Sequence, residues 1–226
     1  MMKIDIEITA VFQTPFNVGT GALANIATNR PTIKDGRQQA IIPGSSYKGR
    51  LRHTCERLLR TLQQTDSAVC QPPVANRMCP LHEAWLGEFC PVCQLFGSPL
   101  RHSPLKFSDL HWQESAEAGV LTDIRTGVSI RRSRRVAEPQ RLYDQEVFGP
   151  LPETIFSGTI TGHLPDEAGQ PLAALLLAGL RQLHTVGGGQ TGGLGHCRFT
   201  ARIKIDNRPQ GNKWYEEGLK QWLATK

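Results

Sequence analysis

The chain has 226 residues, of which 39% are hydrophobic and 20% charged, a composition typical of a folded globular protein and unlike a disordered one. Its formal net charge of +6 and sequence pI near 9.2 favour an anionic partner, although a basic enzyme would carry the same bulk charge. The run LAALLLAGL is too short to span a bilayer and the N-terminus lacks the order of a signal peptide, so we expect a cytoplasmic protein with no membrane partner.

The first half of the chain predicts a strand, a helix and an inserted loop. Residues 3–12 alternate polar and apolar side chains, and their isoleucines share one face, as in a strand. Residues 47–63 repeat apolar side chains at helical spacing, and Ser45 or Ser46 offers an N-cap. Residues 66–100 are rich in Cys, Pro and Gly without a clear period, which indicates an inserted, cross-linked loop. The polar faces of the helix carry Lys48, Arg50, Arg52, Arg57 and Arg60.

The second half predicts two strands, a helix and a last strand. LKFSDLHW (105–112) is typical of a strand, and the following residues 115–150 form a long arginine-rich excursion. Residues 153–164 alternate again, residues 171–186 have a helical pattern, and residues 197–205 predict the final strand. The order strand, helix, strand, strand, helix, strand indicates an α+β fold with a ferredoxin-like sheet and long insertions.

The cysteines of the inserted loop indicate a metal site. CPLH (79–82) and CPVC (90–93) give the spacing C-x2-H-x7-C-x2-C, whose three sulfurs and one nitrogen suit tetrahedral zinc. Buried small hydrophobes or a redox CxxC are the alternatives, but clustering in a cytosolic chain favours metal. Cys55 and Cys197 lie in periodic segments and are predicted core residues. We expect a structural zinc ion held by Cys79, His82, Cys90 and Cys93, with Cys70 as an alternative fourth ligand.

Residues 187–195, GGGQTGGLG, are the second unusual stretch. No Lys-Ser/Thr pair follows the last glycine, so the loop is not a Walker A motif, and it runs from helix to strand, unlike a dinucleotide-binding loop. Two interpretations of the loop remain. It is either a turn without a ligand or a backbone surface that contacts a nucleic-acid strand. Five closely spaced arginines in residues 124–140, beside only one acid, and the basic helix favour RNA or DNA.

Four motifs occur in the order seen in one family. They are IIPGSSYKGRLR (41–52), LFGSP (95–99), LKFSDLHW (105–112) and GGGQTGGLGHCRF (187–199). In this order the chain resembles the RAMP superfamily, and most closely the repeated backbone subunits of type III CRISPR–Cas effector complexes. The resemblance implies one domain over residues 1–226, with a ferredoxin-like, RRM-type core and a β-hairpin "thumb" at 122–148. The insertion at 66–100 resembles the zinc-binding insertions of the III-D and III-E branches.

The resemblance also implies partners and contact residues. Such a subunit binds guide RNA (crRNA), presents it to target RNA in antiviral defence, and assembles with other RAMP and Cas subunits. The implied RNA-binding residues lie at the head of the first helix, in the thumb and in the glycine loop. They are Asn29, Ser45, Ser46, Lys48, Arg50, Arg52, Arg125, Arg131, Arg132, Arg134, Arg135, Gly187, Gly188, Gly189, Gln190, Thr191, Gly192 and Gly193.

A catalytic role is not favoured on this alignment. RNA-cutting relatives carry an aspartate in the loop after the first strand, where this chain has Asn29 within ATNRPTIKD (27–35). Asparagine cannot take a proton from a 2′-hydroxyl or hold a divalent ion strongly. Asp35, which matches the terminal aspartate of the string, is the fallback catalytic residue, and Mg²⁺ would be needed only for cleavage. The alternative is an RNA endonuclease that cuts target RNA or processes the guide.

Overall fold

The computed structural model describes residues 1–21, 28–113, 122–149 and 154–224. None of the helices in these ranges is long and apolar enough to cross a membrane. The described helices are α1 (Gly44–Gln63), α2 (Pro91–Phe96), α3 (Asp166–Arg181) and α4 (Asn212–Ala224). The described strands are β1 (Met2–Phe12), β2 (Ile41–Ile42), β3 (Leu105–Phe107), β4 (Leu110–Trp112), β5 (Thr122–Arg131), β6 (Val136–Phe148), β7 (Thr154–Leu164), β8 (Cys197–Ile205) and β9 (Arg208–Pro209).

Seven of these strands form one antiparallel sheet around β1. β1 pairs with β7 on one side and with β8 on the other, which places Ile6 opposite both Ile160 and Ile203. β3 and β4 pair with β7, β2 pairs with β4, and β9 pairs with β8 at the opposite edge. The core elements follow the strand and helix order that the sequence predicts. The predicted α+β fold is therefore confirmed, with an antiparallel sheet.

The alternation in β1 decides which face of the sheet is buried. Ile4, Ile6 and Ile8 are at most 1% exposed, whereas Glu7 on the other face is exposed. α3 is buried from Pro171 to Leu180, because it contacts the sheet and also α1 and α4. This burial on several sides explains why the α3 sequence is apolar almost all round.

Helix α1 begins differently from the prediction. Its N-cap residue is Pro43, and neither Ser45 nor Ser46 caps it, so that prediction is wrong. Instead, the carboxylate of Asp109 accepts a hydrogen bond of 2.8 Å from the backbone N–H of Gly44. A residue distant in sequence satisfies one of the helix's unpaired N–H groups, which local sequence patterns cannot show.

The segment predicted as one strand at 105–112 is two short strands, because Ser108 and Asp109 leave the ladder between them. The Ser108 N–H donates to Thr159 O at 3.0 Å, and the Thr159 N–H donates to Ser108 Oγ at 2.8 Å. The Ser108 carbonyl is thereby free to accept a hydrogen bond of 2.9 Å from the buried Tyr47 hydroxyl. The break between β3 and β4 thus supplies both contacts that fix the start of α1.

Several other bounds differ from the prediction. α3 spans 166–181 rather than 171–186, and Pro171 is accommodated inside it. α2, β9 and α4 were not predicted at all. α4 packs on α3 through Gly218, where an added Cβ would approach Ala174 and Gln170, so a small residue is needed for the contact.

The arginine-rich excursion contains a two-stranded sheet formed by β5 and β6. The pairing runs from Thr122 opposite Phe148 to Arg131 opposite Val136. At the base, Phe148 and Phe16 exchange two backbone hydrogen bonds of 2.8 and 2.9 Å, which join the hairpin to the core. Most side chains of β5 are exposed.

We expect Phe156→Ala to lower the free energy of unfolding by about 3–5 kcal/mol. The Phe156 side chain is fully buried, and its ring centroid lies 5.4 Å from that of Phe16 and 5.7 Å from that of Phe12. Urea unfolding followed by circular dichroism would measure the loss. Leu100→Ala, at a side chain that is 71% exposed, is the control and should change stability by less than about 0.5 kcal/mol.

Candidate nucleic-acid interface and metal centre

The basic head of α1 lies beside the glycine loop. The Arg50 guanidinium donates hydrogen bonds to Gln190 Oε1 at 2.8 Å and to Thr185 Oγ1 at 3.2 Å. The Gln190 side chain also donates to the carbonyl of Gly187 at 2.9 Å. Arg50 is exposed, so its remaining donors face solvent. Two segments separated by 140 residues therefore form one continuous surface.

Lys48 and the two serines lie in the first turns of the same helix. The Lys48 ammonium lies 5.1 Å from the centroid of the Phe107 ring, a cation–π contact. Partial burial, and the nearby positive charge of Arg52, lower the pKa of Lys48. Ser45 is exposed and Ser46 is half-buried in the first turn of the helix.

Arg52 points away from the glycine loop and toward the inserted segment. Its Nη1 donates to Gly97 O at 2.8 Å, and its Nε donates to Glu56 Oε1 at 3.1 Å. Its Nη2 lies 3.5 Å from Cys93 Sγ. Three directions of the planar guanidinium are thus occupied by protein groups, a pattern that indicates a structural role for this side chain.

The glycines of residues 187–195 divide into two groups. An added Cβ would collide with Asn17 O at Gly187 and with Val186 O at Gly195, and both residues have positive φ. These two glycines are required by packing inside the protein. By contrast, a Cβ at Gly192 or Gly193 would meet nothing within 4 Å, so this outer part leaves open space, although the positive φ of Gly193 also favours glycine. Gly188, Gly189 and Thr191 are exposed as well.

The arginines of the hairpin are all solvent-exposed. Arg131 and Arg141 make ion pairs of 2.9 and 3.5 Å with Glu138, whereas the other four have no ion-pair partner among the described residues. Large apolar side chains are exposed on the same hairpin, with Ile130 63% and Leu142 69% exposed. The four are Arg125 on β5 and Arg132, Arg134 and Arg135 at the turn between the strands.

Asn17 joins the base of the hairpin to the rest of this surface, and sequence reasoning missed it. Its buried side-chain amide donates to Glu146 O at 2.6 Å and to Arg30 O at 3.2 Å. Its own carbonyl accepts a hydrogen bond of 2.8 Å from the N–H of Gly188. One residue therefore holds the hairpin, the segment that carries Asn29 and the glycine loop together. No local motif marks such a residue in advance.

Asn29 and Asp35 differ sharply in environment. Asn29 is exposed and follows Thr28, the first described residue after 22–27. The Asp35 carboxylate accepts hydrogen bonds of 2.8 and 2.9 Å from the backbone N–H groups of Arg37 and Gln39. Asp35 therefore stabilises its own turn, a use of aspartate that is common in loops.

Four buried cysteine thiols meet in the inserted segment. The Sγ atoms of Cys70, Cys79, Cys90 and Cys93 all lie within 4.8 Å of one another. Cys70 Sγ is 3.4 Å from Cys93 Sγ and 3.8 Å from Cys90 Sγ. The structure therefore does not bring together the predicted ligand set that includes His82. It brings together the alternative set, in which Cys70 is the fourth ligand. His82 Nδ1 instead accepts a hydrogen bond of 3.1 Å from the Ala84 N–H and caps a short turn.

This donor set fits a zinc ion. Zinc–sulfur bonds of about 2.3 Å in a tetrahedron place the sulfurs about 3.8 Å apart, close to the separations observed. Hydrogen bonds from Cys90 and Cys93 lower the pKa of the Cys70 thiol, and the hydrogen bond with Cys70 raises the pKa of Cys90 to about 12. The cluster therefore favours a single thiolate, because several negatively charged sulfurs at this distance would repel one another. A bound divalent cation would remove that repulsion.

The two remaining cysteines are ordinary core residues, as predicted. Burial raises the pKa of Cys197 to about 12 and also raises that of Cys55, so both thiols stay protonated. Cys55 packs against α3, where an added Cβ on Gly179 would contact its sulfur.

Comparisons with known proteins give a family and a fold. The sequence model of the RAMP superfamily matches residues 9–198. No curated protein matches the sequence. Solved structures give 210 matching chains, one of them in a cryo-EM structure of the Type III-B Cmr-beta bound to cognate target RNA. That chain is 16% identical with a TM-score of 0.59, and the match covers 90% of this chain but only 60% of that one.

Metal content should separate the two ligand sets. We expect purified protein to contain about one zinc ion per chain, and Cys70→Ser to lose most of it because one of the four close thiols is removed. His82→Ala should keep its zinc and lose only about 1 kcal/mol of capping energy. Elemental analysis and thermal unfolding would measure both. Zinc retained in Cys70→Ser but absent from His82→Ala would restore the ligand set with histidine.

Proposed function

Because the chain belongs to the RAMP superfamily, we propose that it is a guide-binding backbone subunit of a type III CRISPR ribonucleoprotein. In this role it binds crRNA, presents the guide to target RNA in antiviral defence, and assembles with other RAMP and Cas subunits. The finer placement in a branch of the III-D or III-E kind rests on the four-cysteine insertion.

One observation carries the proposal: Arg50 joins the head of α1 to the glycine loop by its hydrogen bonds to Gln190 and Thr185. The joined surface has unpaired cationic donors on one side and open backbone at Gly192 and Gly193 on the other. A polyanionic strand needs both features, since cations neutralise phosphates and glycine lets the backbone approach closely. A mononucleotide site would instead need an enclosed pocket beside the loop.

The hairpin of β5 and β6 is the thumb of this proposal. Its exposed arginines suit phosphates, and its exposed Ile130 and Leu142 suit contact with bases or with a neighbouring subunit. Asn17 fixes the base of the hairpin to the glycine loop, so guide and thumb are positioned by one residue. The zinc ion, held by Cys70, Cys79, Cys90 and Cys93, would supply rigidity to the insertion and no chemistry.

We propose that the chain holds RNA and does not cut it. Asn29 is an amide where cutting relatives have a carboxylate, and the Asp35 carboxylate is already bound to two backbone N–H groups. An amide cannot act as a general base, and the Asp35 carboxylate is already used, through Oδ1, to stabilise its own turn.

Binding to single-stranded RNA should be tight at low salt and fall steeply as salt rises. We expect Arg125→Ala/Arg134→Ala to reduce the slope of log K against log salt by about 0.7 for each phosphate that the variant no longer neutralises. Both side chains are exposed and without an ion-pair partner among the described residues, so the fold should be unaffected. Fluorescence anisotropy with labelled RNA would measure this. A wild-type protein that neither co-purifies with RNA nor binds it would refute the proposed function.

Cleavage assays test the absence of catalysis. In the assembled ribonucleoprotein with Mg²⁺ and labelled target RNA, we expect no cutting that depends on this chain. Asp35→Asn is the sharp variant, since the amide oxygen can still accept the two backbone hydrogen bonds without the charge. Cutting by wild type that Asp35→Asn abolishes would show that the chain is a nuclease. Cutting that appears only in Asn29→Asp would support the proposal.

A further inference from the structure

A cationic depression lies beside the glycine-loop surface, between the first turns of α1 and the segment 96–103. Its volume is about 300 Å³, and it is lined by Lys48, Arg52, Phe96, Ser98, Arg101 and His102, with small residues between them. We call it the 97–103 pocket. The sequence motifs do not predict a functional role for Arg101 or His102.

The lining contains cations and no acid. Arg52 is paired with Glu56, but Lys48 and Arg101 have no ion-pair partner among the described residues, and His102 adds a ring N–H donor. Holding like charges together without a counter-charge is unfavourable unless an anion binds between them. The pocket is therefore complementary to an anionic group.

The walls of the pocket are fixed in place by the cysteine insertion. Ser98 and Arg101 exchange two backbone hydrogen bonds of 2.7 and 3.1 Å, which form a tight turn. The Arg101 guanidinium lies 5.2 Å from the ring centroid of Phe89, the residue before Cys90. Arg52 bridges the other wall by contacting both Gly97 O and Cys93 Sγ. The turn, the helix and the four thiols are therefore connected through direct contacts.

We propose that the 97–103 pocket binds a phosphodiester group of an RNA strand through Lys48, Arg101 and His102, and that Arg52 positions it. This inference rests on the proposed function. RNA is favoured over an acidic protein segment because two faces of the same turns of α1 carry cations, with Arg50 on the glycine loop and Lys48 and Arg52 in the pocket. A strand that follows the surface of Arg50 and the glycine loop can cross the head of α1 and continue into the pocket.

The primary test is Arg101→Ala/His102→Ala. We expect RNA affinity to fall about tenfold and the salt slope to fall by about 0.7 to 1.4, because one or two phosphates are no longer neutralised. Arg202→Ala/Arg208→Ala, at the opposite edge of the sheet, is the matched control for removal of positive charge and should change affinity less than about twofold. Circular dichroism should show both variants folded.

Failure of the pocket can be told apart from failure of the proposed function. If the wild type binds no RNA, the proposed function fails and the pocket with it. If the wild type binds RNA but the Arg101→Ala/His102→Ala variant keeps the same affinity and salt slope, only the pocket is refuted. The strand is identified by comparing guide RNA alone with a guide–target duplex. Weaker binding of both places a guide phosphate in the pocket, and weaker binding of the duplex alone places a target phosphate there.

The positioning role of Arg52 needs a separate readout. Arg52→Lys keeps the positive charge but cannot reach Glu56, Gly97 and Cys93 together, because lysine lacks the planar fork. We expect it to weaken RNA binding in the wild-type background and to have little further effect in the Arg101→Ala/His102→Ala background. Fully additive effects in this double-mutant cycle would show that Arg52 acts independently of the pocket.

Discussion

The break between β3 and β4 at Ser108 and Asp109 is the constraint on which the rest of the surface depends. By leaving the ladder, these residues present one carboxylate and one carbonyl to α1, which bind the Gly44 N–H and the Tyr47 hydroxyl. The first turn of the helix is thereby fixed against the sheet with no cap of its own. Because Lys48, Arg50 and Arg52 follow within two turns, their directions are set by this contact.

The sequence revealed the periodic elements and the chemistry, but not the long-range contacts. Alternation in β1 and helical spacing in α1 were sufficient to predict both elements, since burial of one face decides each pattern. The spacing of the cysteines predicted a metal site, yet it could not choose between His82 and Cys70. That choice depends on how residues 71–78 fold back, and on the use of His82 as a cap, which no spacing encodes.

Two arginines of α1 that the sequence does not distinguish, Arg50 and Arg52, make different contacts in the structure. Arg50 faces the glycine loop and Arg52 faces the cysteines, although only two positions separate them on α1. Residues two apart on a helix point about 200° apart, so one helix can serve two neighbouring sites. Similarly, Gly187 and Gly195 are needed for packing, whereas Gly192 and Gly193 face open space. Residue type alone did not distinguish these cases.

The hairpin has a consequence for how the protein behaves outside an assembly. At its base β6 bonds to the segments of Phe16 and Arg30, but farther out the two strands pair, among the described residues, only with each other. There each strand has an outer backbone edge next to exposed apolar side chains. Such edges join edge to edge unless charge keeps them apart, and here arginine supplies that charge. Salt concentrations that strip RNA from the surface also screen this repulsion. On the proposed function, the same guanidinium groups would serve as recognition elements in the ribonucleoprotein and as protection against self-association in the free chain.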